Sequence, residues 1–225
     1  MRALDNILDN KPFIILVSLP RNDVGLACAA FDQGVHGIKV HTNVLHRASG
    51  NRFGSWDEER PVIEKILSFA KGPVGILPGG ETTMTPREME EAASIGIDFF
   101  DIYDFHMPCW MLDLPMGRMV AAGSQYSLRD IRALDHLGMD YLEASIVSGD
   151  CYRQPLVVKD LEAYSMVCAA TNRPVLVPSQ KALQPSDLPM LSRIGVRGVI
   201  LGTIAIGDTM QDFSRRLPAF MKAVP

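Results

Sequence analysis

Three short apolar runs each carry one ionisable residue near the middle: Lys39 in Gly37-Ile-Lys-Val-His41, Asp101 in Phe99-Phe-Asp-Ile-Tyr103, and Glu143 in Tyr141-Leu-Glu-Ala-Ser145. If each run is a strand, its side chains alternate between two faces. Ile38 and Val40, Phe100 and Ile102, and Leu142 and Ala144 then form apolar faces. Lys39 with His41, Asp101 with Tyr103, and Glu143 with Ser145 take the opposite ones. Buried charge persists only when paired, so one cation and two acids on inward faces are expected to meet. Such a cluster suits two chemistries. A lysine or carboxylate of shifted pKa can move a proton on the carbon beside a carbonyl near neutral pH. A desolvated lysine can instead attack that carbonyl to form a Schiff base while a carboxylate carries the protons. Lys39 is read as base or nucleophile, Asp101 and Glu143 as the groups that set its charge, and His41 as a further catalytic candidate. The plainer alternative is a structural ion pair.

A second group of residues fits ligand binding. Leu201-Gly-Thr-Ile-Ala205, followed by Gly207-Asp-Thr209, exposes backbone N–H groups near a helix start, where an anion is favoured. Ser179 offers a hydroxyl and Lys181 a point charge from the preceding strand end, with Gln180 between them. Together with Gly202 and Thr203 they form a candidate seat for phosphate. Ser18, and Glu81 behind Gly79-Gly80, are further candidates for substrate contact. His41, Asp104 and His106 carry donor atoms for a metal, but their spacing has no metal signature. No motif selects a divalent cation or flavin mononucleotide as cofactor, so none is assigned.

The elements that must position these residues follow a repeated phrase: a helical stretch, a glycine, one or two residues, then an apolar run. Gly34, Gly96, Gly138 and Gly195 each precede such a run, and glycine is what a helix C-terminus needs to turn out of the helix. Eight strands are expected at about 13–19, 37–42, 73–78, 98–104, 118–123, 140–146, 174–179 and 197–203. Helices are expected at about 22–33, 56–70, 86–95, 127–137, 157–171, 185–194 and 209–223. Strict alternation implies a parallel sheet, and eight units close into a (β/α)₈, or TIM, barrel as one domain over residues 1–225. A doubly wound open sheet is the rival, weakened because no G-x-G-x-x-G follows the first strand. The active site belongs at the carboxyl ends of the strands. The long connection 43–55 is expected to cover it. Residues 105–116 are too rich in proline for a long helix. Their apolar stretch (Trp110, Met111, Leu112, Leu114) packs either on a second copy, making a homo-oligomer, or on its own barrel.

The chain resembles the ribulose-phosphate-binding class of barrels, and within it the N-acetylmannosamine-6-phosphate epimerase group. The resemblance lies in Gly37-Ile-Lys, Pro73-Val-Gly-Ile, the helix start Met84-Thr-Pro-Arg-Glu-Met-Glu-Glu, Ile102-Tyr-Asp104, Arg173-Pro-Val-Leu-Val and Gly198-Val-Ile-Leu-Gly-Thr. It implies a phosphorylated substrate and proton transfer beside a carbonyl. The family's lysine would fall in Ile76-Leu-Pro-Gly79 and its glutamate in Val177-Pro-Ser-Gln180, and neither is present; Asp104 matches the family's aspartate. The expectation is therefore an isomerase, epimerase or aldolase-type lyase with relocated chemistry, Lys39 being the relocated base. The alternatives are a non-catalytic metabolite-binding barrel and a flavin- or metal-dependent oxidoreductase.

Composition excludes other classes. The chain of 225 residues is 47% hydrophobic and 21% charged, with net charge −4 and no basic stripe, which argues against nucleic-acid binding. Phe13–Leu19 and Val196–Ile206, its longest apolar stretches, fall short of the roughly 18–20 residues that span a bilayer. MRALDNILDNKPF lacks the apolar core of a signal peptide, so a cytoplasmic location is expected. The four cysteines are widely spaced and read as reduced thiols.

Overall fold

The computed structural model describes all 225 residues, Met1–Pro225. Eight parallel strands close into a barrel: β1 (Ile14–Ser18), β2 (Gly37–His41), β3 (Val74–Leu77), β4 (Phe99–Tyr103), β5 (Gly117–Ala122), β6 (Tyr141–Ala144), β7 (Val175–Pro178) and β8 (Gly198–Leu201). Each strand pairs with its neighbours in sequence, and β8 returns to β1 through Ile14↔Gly198 and Ile15↔Val199. The helices around them are α2 (Val24–Asp32), α3 (Trp56–Leu67), α4 (Pro86–Ser94), α5 (Leu128–His136), α6 (Val158–Ala170), α7 (Leu188–Arg193) and α9 (Met210–Lys222). Closure excludes the open doubly wound sheet. Gly34, Gly96, Gly138 and Gly195 have φ of 83°, 107°, 81° and 99°. They terminate α2, α4, α5 and α7 in the left-handed region, where a side chain would be strained.

Two interiors result from strand alternation. Ile38, Val40, Phe100, Ile102, Leu142 and Ala144 belong to the 47-residue core between barrel and helices. A second cluster of nine fills the barrel's lower half: Ile14, Leu16, Phe99, Met119, Tyr141, Leu176 and Ile200, with Leu4 and Leu8 from below. The Phe99 ring occupies the space above Gly75, where an added Cβ would lie 2.2 Å from ring carbons. Any larger residue at 75 collides with that ring.

Leu4 and Leu8 come from a helix that the sequence reading did not anticipate, α1 (Ala3–Asn10), which plugs the amino-terminal end of the barrel. Its first N–H groups donate to the Asp98 carboxylate from Ala3 at 2.6 Å and Leu4 at 2.9 Å. Those donors have no partner inside a helix, so Asp98 satisfies them and meets the positive end of the helix dipole. Leu4 is 0% exposed. Leu4→Ala should therefore lower stability by about 3 kcal/mol through lost burial and the cavity it leaves, measured by urea denaturation.

Smaller departures concern the carboxyl ends. The eighth strand stops at Leu201 rather than 203, because Thr203–Ile206 forms a short helix, α8. Connection 43–55 contains a two-stranded antiparallel ribbon pairing Val44 with Phe53 and Leu45 with Arg52. Residues 105–116 hold 3₁₀ turns, one from Asp104 to His106 and one over Cys109–Asp113. Met111 is buried there, and Trp110 and Leu114 pack on the outer core, so this stretch folds back on its own barrel. No helix is long and apolar enough to cross a membrane, and all four cysteines are free.

Candidate functional site

Above the apolar floor, β2, β4 and β6 bring Lys39, Asp101 and Glu143 together. Lys39 Nζ donates to Glu143 Oε2 at 2.8 Å and to Asp101 Oδ2. The three residues are 5%, 1% and 6% exposed. Burial lowers the Lys39 pKa, but the charges and hydrogen bonds of the two carboxylates outweigh it and the ammonium is held above its usual range. Burial together with the neighbouring Glu143 charge pushes Asp101 well above the ordinary aspartate value. Glu143 is also pushed up by burial, yet the Lys39 charge and its hydrogen bond bring it below normal. Lys39 thus favours its charged form, and of the two acids the neutral form is favoured at Asp101 and the ionised form at Glu143. That state departs from the expected role of Lys39. An amine clamped between two acids is not free to act as a base or to attack a carbonyl.

The cluster opens on a cavity of about 180 Å³ whose walls include Lys39 and Glu143, with Tyr103, Ser145, Ser18, Ser179 and Gly202 around them. Asp101 lies beneath and does not reach the wall. The connection 43–55 crosses the mouth and contributes Val44, Leu45, His46, Arg47 and Ala48 to the lining. It is tied down at two points: Asn51 Nδ2 donates to the Pro20 carbonyl at 2.8 Å, and Arg153 Nη2 donates to the Ala48 carbonyl at 2.9 Å. His46 is pushed down to about 4, first by burial and then by the Lys39 charge, so it is neutral at neutral pH.

Hydrogen bonds fix the far wall. The Gln180 amide donates to Ser145 Oγ at 2.8 Å and to the Tyr152 hydroxyl at 2.6 Å, and its oxygen accepts the Val147 N–H at 3.1 Å. Tyr103 and Ser145 hydroxyls lie 2.7 Å apart. Burial and Glu143 raise the Tyr103 phenol, which remains a proton donor. Gln180 thereby links the β6 and β7 loops and orients Ser145.

The remaining predicted site residues divide. Ser18 lines the cavity, and behind it His41 is fully buried, with Nε2 3.1 Å from Ser18 Oγ and its ring 4.6 Å from that of Phe53. Burial, His46 and Lys39 drive the His41 pKa well down. His41 therefore braces Ser18 from outside the cavity. Ser179 lines the cavity and its Oγ accepts the Gly202 N–H at 2.8 Å, so that donor is already used. The Thr203 and Ile204 N–H groups have no acceptor in the chain. Lys181 points away from the seat, buried, with Nζ 3.1 Å from the Asp160 carboxylate of α6. Glu81 is exposed at the tip of a tight turn closed by the Gly79–Thr83 bridge, outside the cavity. No group of three or more His, Cys, Asp or Glu side chains is arranged to hold a metal; His41 is fully buried, whereas Asp104 is exposed. His46, Arg47 and Tyr152 were not among the predicted site residues. Their signal was present only as basic and aromatic residues in two loops whose mutual approach no periodicity reveals.

No family model matches the sequence, and no curated protein matches it. Solved structures do match the fold. Tryptophan synthase from M. tuberculosis is similar over 99% of this chain and 98% of that one, with a TM-score of 0.76 and 13% identity. Thiamine phosphate pyrophosphorylase from Pyrococcus furiosus matches with a TM-score of 0.66 and 14% identity over 96% of both chains. A tryptophan synthase alpha-subunit from Pyrococcus furiosus matches with a TM-score of 0.68 and 10% identity, over 93% of this chain and 97% of that one. At such identities the likeness establishes the architecture: this chain is a closed (β/α)₈ barrel.

Proposed function

We propose that this chain is an enzyme that moves a proton on the carbon beside the carbonyl of a small phosphorylated compound, as an isomerase, an epimerase or an aldolase-type lyase. The observation that carries the reading is the Lys39 ammonium paired at 2.8 Å with Glu143 on the wall of the cavity. Glu143 is the base. Lys39 faces the carbonyl oxygen and stabilises the negative charge that grows there as the proton leaves; such charge stabilisation is strongest where water is excluded. Asp101 holds the proton that lets the two acids coexist, and the Tyr103–Ser145 pair supplies neutral hydroxyl donors.

A cavity of about 180 Å³ lies below the several hundred Å³ usual for a whole ligand, so it receives the reacting end. The phosphate rests on the unpartnered N–H groups of Thr203 and Ile204, beside Ser179 and Gly202. This is the corner where barrels commonly hold one. The neighbour named for thiamine phosphate supports a phosphorylated substrate on this architecture.

The test is exchange of carbon-bound hydrogen in D₂O, followed by NMR, over a panel of triose, pentose and amino-sugar phosphates. Protein-dependent deuterium uptake beside the carbonyl of at least one compound is expected. A panel that remains wholly undeuterated after prolonged incubation refutes the reading.

A further inference from the structure

Beside the catalytic cavity lies a larger groove of about 720 Å³. Arg47, Tyr103, Ser145 and Tyr152 line both spaces, so the two are continuous. The groove has an aromatic wall that packing of the core does not explain. Phe105 is 67% exposed, although a large apolar ring at a barrel mouth gains nothing from water. It stacks on Tyr103 at a centroid distance of 5.0 Å and an angle of 17°, and the His106 ring adjoins it at 4.6 Å. Tyr126 lines the same space. Gly123 lets the Phe105 ring settle against the β5 loop, since an added Cβ there would lie 3.1 Å from the ring edge.

Two polar groups on this wall are acceptors only. Asp104 and Asp130 both line the groove. Each uses one carboxylate oxygen in its own turn, Asp104 Oδ1 for the Phe105 N–H and Asp130 Oδ2 for Ser127. The second oxygen of each has no partner in the chain. A flat π-surface flanked by unused carboxylate oxygens matches a flat ring that carries N–H donors and no negative charge of its own.

We infer that the groove binds a planar nitrogen heterocycle bearing N–H or amino groups. Resting on the reading above, this ring is the distal end of the substrate whose carbonyl enters the catalytic cavity. The ring stacks on the exposed face of Phe105, which Tyr103 backs, and its N–H groups meet Asp104 and Asp130. Arg47, at the junction, sits 5.9 Å over the Tyr152 ring and bridges the two halves of the ligand.

The test uses adenine as the probe and cyclohexanecarboxamide as a non-planar control that also donates N–H groups, titrated against the full chain by NMR. Saturable adenine binding at millimolar or lower concentration is expected, with shifts at Gly123 and Tyr126, and the control should bind at least tenfold more weakly. Phe105→Leu should weaken adenine about tenfold, as loss of one base–aromatic stack does, and Phe105→Tyr should restore it. Circular dichroism confirms that both variants fold. Adenine binding no tighter than the control, or unchanged affinity in Phe105→Leu, overturns the inference. Binding is read without turnover. A failed deuterium exchange therefore counts against the proposed reaction alone, and failed adenine binding against the groove alone.

Discussion

Lys39→Met is expected to cost the protein about 3–5 kcal/mol of stability at neutral pH, the range for breaking a buried ion pair from one side. Methionine fills much of the lysine's volume, so packing loss is a minor part. The larger part is the pair of acids left facing each other without a cation. In the wild type, Glu143 has a folded pKa below its ordinary 4.5, a contribution to stability that is present above 4.5 and lost as pH falls through the folded value. Asp101 has a folded pKa above its ordinary 3.8, so its contribution is present below 3.8 and is lost as pH rises through the folded value. Without Lys39 both carboxyls titrate upward. The deficit of the variant should therefore be greatest at pH 7 and shrink as pH falls below the ordinary values of 3.8 and 4.5, where both acids become protonated in folded and unfolded chains. Urea midpoints across this pH range check it. A deficit independent of pH would show that the two acids do not feel the cation.

Glu143→Gln should reduce deuterium exchange by about 10²–10⁴-fold, the usual contribution of a positioned general base. Glutamine keeps the shape and still accepts a hydrogen bond from Lys39, so the fold persists while the proton acceptor is gone. Because Lys39 holds the Glu143 pKa below 4.5, the wild-type rate should be flat through neutral pH and fall only as pH drops through that lowered value. An inflection near pH 6–7 would point to another group as the base. If the barrel only binds a metabolite, Glu143→Gln alters affinity and no exchange exists to lose.

Much of this arrangement was legible from residue order. The helix–glycine–strand phrase located β2, β4, β6 and β8, where Gly34, Gly96, Gly138 and Gly195 punctuate helix ends, and the apolar runs between them gave the other four strands. Side-chain parity brought Lys39, Asp101 and Glu143 to one place, because a barrel strand has only two faces. What parity does not encode is protonation. Two acids within hydrogen-bond reach of one amine favour its charged form, and residue order carries no sign of that. Loop residues were less legible for a different reason. Lys181 and Glu81 lie just beyond strand ends, where alternation stops; one turned towards Asp160 on α6 and the other into solvent. His41 obeyed parity, but the ribbon residues His46 and Phe53 closed over it. The plug helix α1 left a trace in Leu4, Ile7 and Leu8, spaced for one helical face. It is only eight residues long and precedes the first strand, where the repeated phrase has not begun.

The oily floor has a consequence for traffic. With Leu4 and Leu8 sealing the barrel from beneath, the cavity above them is a blind well. Nothing passes through it, so a ligand enters and leaves by one rim, on the side where the cavity runs on into the larger groove.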